Sequence, residues 1–310
     1  MEDKVNNGKV NLFLVAFLLV VPAVLFSDTL PGPVVTAQWL KEHIDDEDIR
    51  IVDISFEKKG YTAGHIPNAV FVDWRTDLAD PGQKHYLILS RADFEQLMSR
   101  IGVTPSTRLV FYDDFNNRLA IRALWVAEYY GHTDAAILEG GVTAWEARGY
   151  GLTENSPRYR STRYTVRSVN PGLNVDKEFV QRNLSNPDVL FVDGRPAGMY
   201  SGLINGKAIH TGEMIARRGH LPGAVNQPWK THLDNHSEFL DEHTLEMLFR
   251  DRGIDRDKQA VVFYCNEGVH AAFDWFVAAK ILGFENAKIY DGSMSEWAED
   301  AKLPLKMGQD

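Results

Sequence analysis

The sequence is poor in cysteine, because its 310 residues contain only Cys265. A single cysteine excludes an intrachain disulfide and any zinc site with two or more thiolate ligands. Positive charge is also scarce: 33 lysines and arginines face 43 aspartates and glutamates, which gives a net charge of −10. This balance argues against a nucleic-acid partner, since phosphate binding needs a positive field. The usual metal, phosphate-loop and dinucleotide motifs are missing, so we expect no metal and no cofactor.

An apolar run lies at the amino terminus, where it extends from Val10 to Phe26 behind two lysines. A basic start followed by an apolar stretch is typical of a secretory signal. No small-residue cleavage site is evident, and the run approaches the ~20 residues that a membrane-spanning helix needs. We therefore predict that residues 1–27 are a signal peptide or a membrane anchor. The rest of the chain is then expected outside the cytoplasm, in the periplasm or secreted, with residues 10–26 as a possible membrane contact.

The chain contains an internal duplication. The motif GHIPNAV at residues 64–70 reappears as GHLPGAV at residues 219–225. Further on, Trp145 and Trp297 occupy equivalent places, at an offset of 297 − 145 = 152. We predict a first domain over 34–152, a polar linker over 153–172 and a second domain over 173–310.

Each copy alternates short apolar runs rich in β-branched residues with longer segments of helical periodicity. Fully apolar strands that alternate with helices indicate a parallel sheet covered by helices on both faces. The predicted fold class is therefore α/β, with two such sheets in tandem. Ligands of sheets of this kind bind at the carboxyl ends of the strands.

Cys265 occupies such a strand end, since it follows the apolar run VVFY at residues 261–264 and precedes a helix predicted to start near Ala271. Backbone N–H groups of the loop and the positive end of the helix dipole would favour a thiolate or a persulfide anion. Gly268 allows the backbone to turn. We predict Cys265 as the nucleophile and the following loop as the cradle of its sulfur, formed by Asn266, Glu267, Gly268, Val269, His270 and Ala271.

Two chemistries use a cysteine in this setting. Phosphatases of the C-x5-R type need an arginine where this chain has Ala271, which leaves sulfur transfer. The sequence resembles the tandem rhodanese family of thiosulfate and 3-mercaptopyruvate sulfurtransferases. The resemblance rests on the two GH(I/L)P motifs, on Asp193-x-Arg195, on the CxxGVxA loop and on the DGSxxEW motif from Asp291.

The resemblance implies two α/β domains of which only the second is catalytic, because Asp113 stands where the first copy would need its cysteine. It also implies that sulfur passes from a small donor, thiosulfate or 3-mercaptopyruvate, through a Cys265 persulfide to cyanide or a thiol. An alternative from another functional class is a non-catalytic persulfide carrier.

The resemblance further implies that arginines bind an anionic donor. Arg195 matches the family's D-x-R arginine, and Arg217 or Arg218 resembles the position that holds a carboxylate. The loop departs from the family at Glu267, whose charge should repel thiosulfate. His270 would offset that charge when protonated, or would donate a hydrogen bond to the substrate.

Residues 201–215 have no counterpart in the first copy. They contain three glycines and no strong periodicity, and we interpret them as a loop insertion beside the site. We predict that this insertion shapes access to Cys265. The sequence leaves open the preferred donor, the acceptor and the oligomeric state.

Overall fold

The computed structural model describes Met1 and residues 29–309. The predicted signal or anchor segment lies almost wholly outside these residues. No helix in the described part of the chain has the length and apolar character needed to cross a membrane.

Two parallel sheets of five strands each form the framework, and their strand orders are equivalent: β1-β5-β4-β2-β3 and β6-β10-β9-β7-β8. The first sheet defines domain 1, with strands β1 Val34–Val35, β2 Ile49–Asp53, β3 Val70–Phe71, β4 Arg108–Tyr112 and β5 Ala135–Leu138. The second defines domain 2, with strands β6 Asn174–Val175, β7 Val189–Asp193, β8 Val225–Asn226, β9 Ala260–Tyr264 and β10 Ala287–Tyr290. The predicted duplication of an α/β unit is confirmed by this topology.

Eleven α-helices connect the strands within the described residues. Domain 1 contains α1 Ala37–Glu42, α2 Lys58–Ala63, α3 Trp74–Asp77, α4 Arg91–Arg100, α5 Arg118–Tyr129 and α6 Gly141–Ala147. Domain 2 contains α7 Lys177–Asn183, α8 Ala197–Tyr200, α9 Glu242–Asp251, α10 Val269–Phe276 and α11 Ser293–Trp297.

Both faces of each sheet are covered, because successive residues of a central strand belong to different cores. In β4, Leu109 and Phe111 pack into a core shared by the two domains, whereas Val110 and Tyr112 pack into a core of domain 1 alone. The apolar residues of β9 divide in the same way between the shared core and one of domain 2. Successive side chains of a β-strand point to opposite faces of the sheet, which explains this alternation.

The shared core lies where α5 of domain 1 packs against α10 of domain 2. Arg118 and His270 lie in the first turns of these helices and are equivalent by the offset of 152, since 270 − 118 = 152. They meet across the interface, with the Arg118 Nη1 3.1 Å from the His270 Nε2. Contact between equivalent residues is what a pseudo-twofold relation between the two domains would produce.

The helices differ in how they begin. Ser90 and Asp241 cap α4 and α9, and each accepts a hydrogen bond from a backbone N–H of the first turn. Helices α5 and α10 have no side-chain cap and begin after Asn117 and Gly268, both in the left-handed region. Their first backbone N–H groups therefore remain available to Asp113 and Cys265, the residues that follow β4 and β9.

Candidate active site

Cys265 follows β9 directly and is 2% exposed. Helix α10 begins at Val269, two residues before the predicted start. The backbone N–H of Glu267 donates to the Cys265 Sγ at 3.4 Å. Residues 265–271, called the Cys265 loop below, thus wrap the sulfur as a strand–loop–helix junction does.

The electrostatics of the Cys265 sulfur are balanced between two opposing effects. Burial raises the pKa of the thiol, while the backbone N–H groups of Ala271, Glu267 and His270 lower it. Burial is the larger effect, so the pKa lies above its usual value. The loop therefore directs backbone N–H groups at the sulfur. These hydrogen bonds do not outweigh burial, so the loop alone does not give the free thiol a low pKa.

A serine beneath the loop fixes its shape. The Ser293 Oγ accepts hydrogen bonds from the N–H groups of Cys265 at 3.1 Å and Gly268 at 3.2 Å. It also donates to the carbonyl of Tyr290 at 2.9 Å. Ser293 begins α11, and its φ of 49° places it in the left-handed region. Sequence reasoning quoted the motif that contains this serine but assigned it no role.

Domain 1 also reaches the Cys265 loop. The Arg122 Nη1 of α5 lies 2.6 Å from the Asp291 Oδ1, and this ion pair is buried between the domains. The other oxygen of Asp291 accepts the N–H of Ile88 at 2.7 Å. Sequence reasoning missed Arg122, although an arginine inside the apolar run from Leu119 to Trp125 was a detectable signal.

Arg195 is placed near the site but is committed to other partners. Its guanidinium forms a buried ion pair with Asp193 at 2.6 Å and donates to the carbonyl of Gly219 at 2.8 Å. Asp193 also accepts the backbone N–H of Arg195. Asp193 therefore orients Arg195, and substrate binding by this arginine stays a prediction.

Arg217 is bound to several backbone carbonyls. Its guanidinium nitrogens donate to the backbone carbonyls of Trp297, Ala298, Asp300 and Leu303. These bonds hold the carboxyl-terminal segment and give Arg217 a structural role, and substrate binding by this arginine stays a prediction. Arg218 is exposed and forms no ion pair within the described part of the chain.

The insertion lies against the Cys265 loop. The carboxylate of Glu267 contacts the imidazole of His210 and the backbone N–H groups of Ile209 and His210. Asn266 donates to the carbonyl of Lys207 at 3.1 Å. The Glu267 side chain is 1% exposed. The insertion thus covers the charge that was expected to face a donor.

The role predicted for a protonated His270 requires correction. Donation of a hydrogen bond to the substrate stays a prediction, since the Nδ1 has no partner within the described residues. Burial of its imidazole, with a smaller contribution from Arg118, lowers its pKa to about 3. The ring is therefore neutral near pH 7 and does not offset Glu267. Its Nε2 faces Arg118, and the ring stacks on Trp229 at 5.2 Å. His270 belongs to the domain interface.

The equivalent loop of domain 1, residues 113–119, is filled by a carboxylate. Asp113 Oδ1 accepts the N–H groups of Phe115 and Asn117, and Oδ2 accepts those of Leu119 and Ala120, all at 2.7–3.0 Å. Burial nevertheless raises the pKa of Asp113 to about 6. The uncapped start of α5 is thus satisfied internally, and no thiol is present in this loop.

Comparisons with known proteins agree with this architecture. The rhodanese-like domain model matches the chain twice, at residues 36–148 and 176–300. A sulfur carrier protein, TtuD of Thermus thermophilus, is 31% identical over 283 residues, which cover 90% of this chain and 98% of that protein. A thiosulfate sulfurtransferase of Corynebacterium glutamicum is 32% identical over 283 residues, which cover 90% and 92%.

Solved structures give the same result. The 3-mercaptopyruvate sulfurtransferase SseA of Escherichia coli superposes with a TM-score of 0.73 at 30% identity, covering 84% of this chain and 98% of SseA. The anaerobic ergothioneine biosynthesis enzyme of Chlorobium limicola superposes with a TM-score of 0.79 at 23% identity, covering 89% and 70%, and shows a shared fold. With two matched domains and relatives of this similarity, the chain belongs to the rhodanese family as a tandem-domain sulfurtransferase.

Proposed function

We propose that this protein transfers sulfane sulfur from thiosulfate or 3-mercaptopyruvate to a thiophilic acceptor such as cyanide or a thiol, through a persulfide on Cys265. The observation that carries the proposal is the position of the Cys265 Sγ at the end of β9, within reach of backbone N–H groups of its own loop. Such donors stabilise an anionic sulfur without bringing a competing acid into the site.

The reaction has two steps. The Cys265 thiolate attacks the sulfane sulfur of thiosulfate, a Cys265 S–S bond forms, and sulfite leaves with the electron pair. Cyanide then attacks the outer sulfur, which leaves as thiocyanate and restores the thiolate. This is covalent catalysis with ping-pong kinetics. In the 3-mercaptopyruvate reaction, the carbon–sulfur bond breaks and the leaving group takes up a proton as pyruvate.

The Asp113 loop of domain 1 indicates where the outer sulfur of a Cys265 persulfide would lie. Its Asp113 carboxylate reaches one bond further from the backbone than a thiol does and accepts four N–H groups. The offset of 152 places the equivalent N–H groups of domain 2 at Glu267, Val269, Ala271 and Ala272, the last of which donates to the Gly268 carbonyl at 2.9 Å. We expect the outer sulfur of the persulfide to occupy the position of that carboxylate.

The environment of Glu267 bears on the donor. The sequence suggested that its charge disfavours thiosulfate, but His210 and two N–H groups contact the carboxylate. Hydrogen bonds to an ionised carboxylate reduce the field it exerts on neighbouring groups. Both donors therefore remain within the proposal.

The test compares turnover with cyanide as acceptor and thiosulfate or 3-mercaptopyruvate as donor. Turnover with either donor that is lost in Cys265→Ser supports the proposal and identifies the donor. A second candidate is a persulfide carrier, favoured by the similarity to a sulfur carrier protein and by the 2% exposure of Cys265. A stable Cys265 persulfide without turnover on either donor would favour the carrier.

We also propose that residues 1–27 direct the protein out of the cytoplasm. The support is the apolar run behind two lysines. Fractionation of cells that express the full chain and a chain lacking residues 1–27 tests this. Recovery of the full chain in the cytoplasmic fraction contradicts the proposal.

A further inference from the structure

Arg122 is a charged side chain that the sulfur-transfer steps do not use. It belongs to α5 of domain 1 and is 0% exposed. Burial of a cation is costly unless its charge is paired and its donors are bonded. Arg122 meets only part of this requirement. Its Nη1 bonds to Asp291, and its guanidinium lies over the rings of Trp125 at 4.5 Å and Tyr86 at 5.4 Å. Its Nε and Nη2 have no hydrogen-bond acceptor among residues 29–309. A buried group of this kind calls for an explanation.

The Arg122–Asp291 pair touches the Cys265 loop directly. A Cβ added to Gly268 would lie 2.5 Å from the Asp291 Oδ1 and 2.9 Å from the Arg122 Nη1. Only a glycine therefore fits between the loop and the pair. Asp291 also precedes the turn to Ser293, whose Oγ holds two N–H groups of the loop. Arg122 thus contacts the loop at one side and, through Asp291, supports it from below.

The repeat does not explain this arginine. The offset of 152 pairs Arg122 with Asp274 of α10, which is also buried but faces Gly194 and His232. A residue required only by the fold would be expected to have a similar counterpart in both copies. Arg122 has the opposite charge from its counterpart, and it reaches the one domain that contains a cysteine.

Charged groups reach the surroundings of the sulfur from every element packed around it. The end of β7 contributes Asp193 with its partner Arg195, and α10 contributes Asp274. The loop itself contributes Glu267, and α5 with the turn after β10 contributes Arg122 and Asp291. Glu267 is held by His210, and burial raises the pKa of Asp274 well above its usual value. Burial lowers the pKa of Arg122, but Asp291 more than compensates, so the guanidinium stays charged.

We propose that Arg122 of domain 1 is a positioning residue of the Cys265 site, which holds Asp291 against the loop and sets a buried positive charge beside the sulfur of domain 2. This inference rests on the proposed function, because it assigns Arg122 a role in stabilising the reactive sulfur anion. It also gives domain 1 a part in the chemistry of domain 2 although domain 1 has no cysteine.

The test is the pH dependence of Cys265 alkylation by iodoacetamide, followed by intact-protein mass. The single cysteine makes the modification site unambiguous. Alkylation needs no sulfur donor, so this test is decided even if sulfur transfer is not observed. In Arg122→Met, we expect the midpoint of the profile to rise by about one pH unit. A shift of that size slows alkylation about tenfold below both midpoints.

Asp291→Asn should shift the midpoint of the alkylation profile in the opposite direction. It removes the negative charge beside the loop and leaves that of Arg122 unopposed, so we expect the midpoint to fall. A purely structural role for the pair would move both variants in one direction or neither. Arg122→Lys keeps the charge and is expected to stay near the wild-type midpoint.

Arg108→Met is the matched control. Arg108 is another buried arginine of domain 1 and pairs with Asp48 at 2.7 Å, at the amino end of β4. Its loss should lower stability without moving the midpoint. An Arg122→Met profile identical to wild type overturns the proposal. If circular dichroism shows that Arg122→Met is unfolded, Asp291→Asn decides: a lowered midpoint supports the proposal, and an unchanged or raised one overturns it.

Discussion

The two loops that follow β4 and β9 have equivalent positions but enclose different side chains, an aspartate in domain 1 and a cysteine in domain 2. In domain 1, Asp113 fills the loop and accepts four backbone N–H groups. In domain 2, the Cys265 side chain is one bond shorter, and the N–H of Glu267 donates to its sulfur at 3.4 Å. The same loop conformation thus binds the Asp113 carboxylate in domain 1, where it stabilises the fold. In domain 2 it leaves space beside Cys265 for the persulfide anion that forms during turnover.

The difference also shows what a helix without a side-chain cap is for. Helices α4 and α9 use a serine and an aspartate to satisfy their first N–H groups. Helices α5 and α10 leave theirs to the residue after the preceding strand. A built-in carboxylate closes this anion site permanently, whereas a thiol leaves it open to a second sulfur.

The largest expected effect is on activity and comes from Cys265→Ser. A hydroxyl does not accept sulfane sulfur, so turnover should fall to background with every donor. The cyanide assay measures this, with circular dichroism as the control for folding. Residual turnover above background in the serine variant would place the nucleophile elsewhere and break the comparison between the loops.

The next effect is on stability and comes from Asp113→Ala. Removal of the carboxylate leaves four N–H groups without their acceptor, which should destabilise the protein by roughly 3 kcal/mol. Urea unfolding measures the loss. Asp114→Ala is the matched control, because Asp114 is exposed and accepts one N–H, from Phe56. Equal losses in the two variants would contradict the role assigned to Asp113.

The same carboxylate should give stability a specific pH dependence. The folded pKa of Asp113, about 6, lies above its ordinary value of 3.8. Between these values the folded protein binds more protons than the unfolded chain, so stability falls as pH rises through this range. From pH 4.5 to 6.5 the contribution is about 2 kcal/mol.

The measurement is the free energy of unfolding at several pH values in wild type and in Asp113→Asn. The difference between the two should change across this window, because the amide does not titrate. A constant difference would show that Asp113 keeps an ordinary pKa in its loop.

The smallest expected effect concerns the insertion, which only domain 2 has. In His210→Ala the imidazole contact to Glu267 is lost. We expect faster alkylation of Cys265 by about fivefold, equivalent to about 1 kcal/mol, with the pH midpoint unchanged. Thr211→Ala is the control, since Thr211 is an exposed neighbour in the same segment. Unchanged alkylation in both variants would mean that the insertion does not limit access.

The sequence was sufficient for the duplicated α/β fold and for placing Cys265 at a strand end. Both follow from local patterns: apolar strands, helical periodicity and an offset that stays at 152 from one strand to a later tryptophan. The start of α10 was misplaced by two residues because the glycine that opens the helix was assigned to the loop.

The surroundings of the sulfur were not predictable in the same way. Glu267 and Arg217 were given roles toward substrate, but Glu267 contacts His210, 57 residues away along the chain, and the partners of Arg217 lie 80 or more residues away. Arg122 reaches the loop only because two domains dock through α5 and α10. Contacts of this kind depend on tertiary packing, which the periodicity and spacing of residues in the sequence do not predict.

The most direct test of the account is the mass of the intact protein after incubation with thiosulfate or 3-mercaptopyruvate. We predict that wild type gains the mass of one sulfur atom, that cyanide removes it, and that Cys265→Ser never gains it. Absence of the added sulfur in wild type with both donors, or its presence in Cys265→Ser, would contradict the claim that Cys265 carries the transferred sulfur.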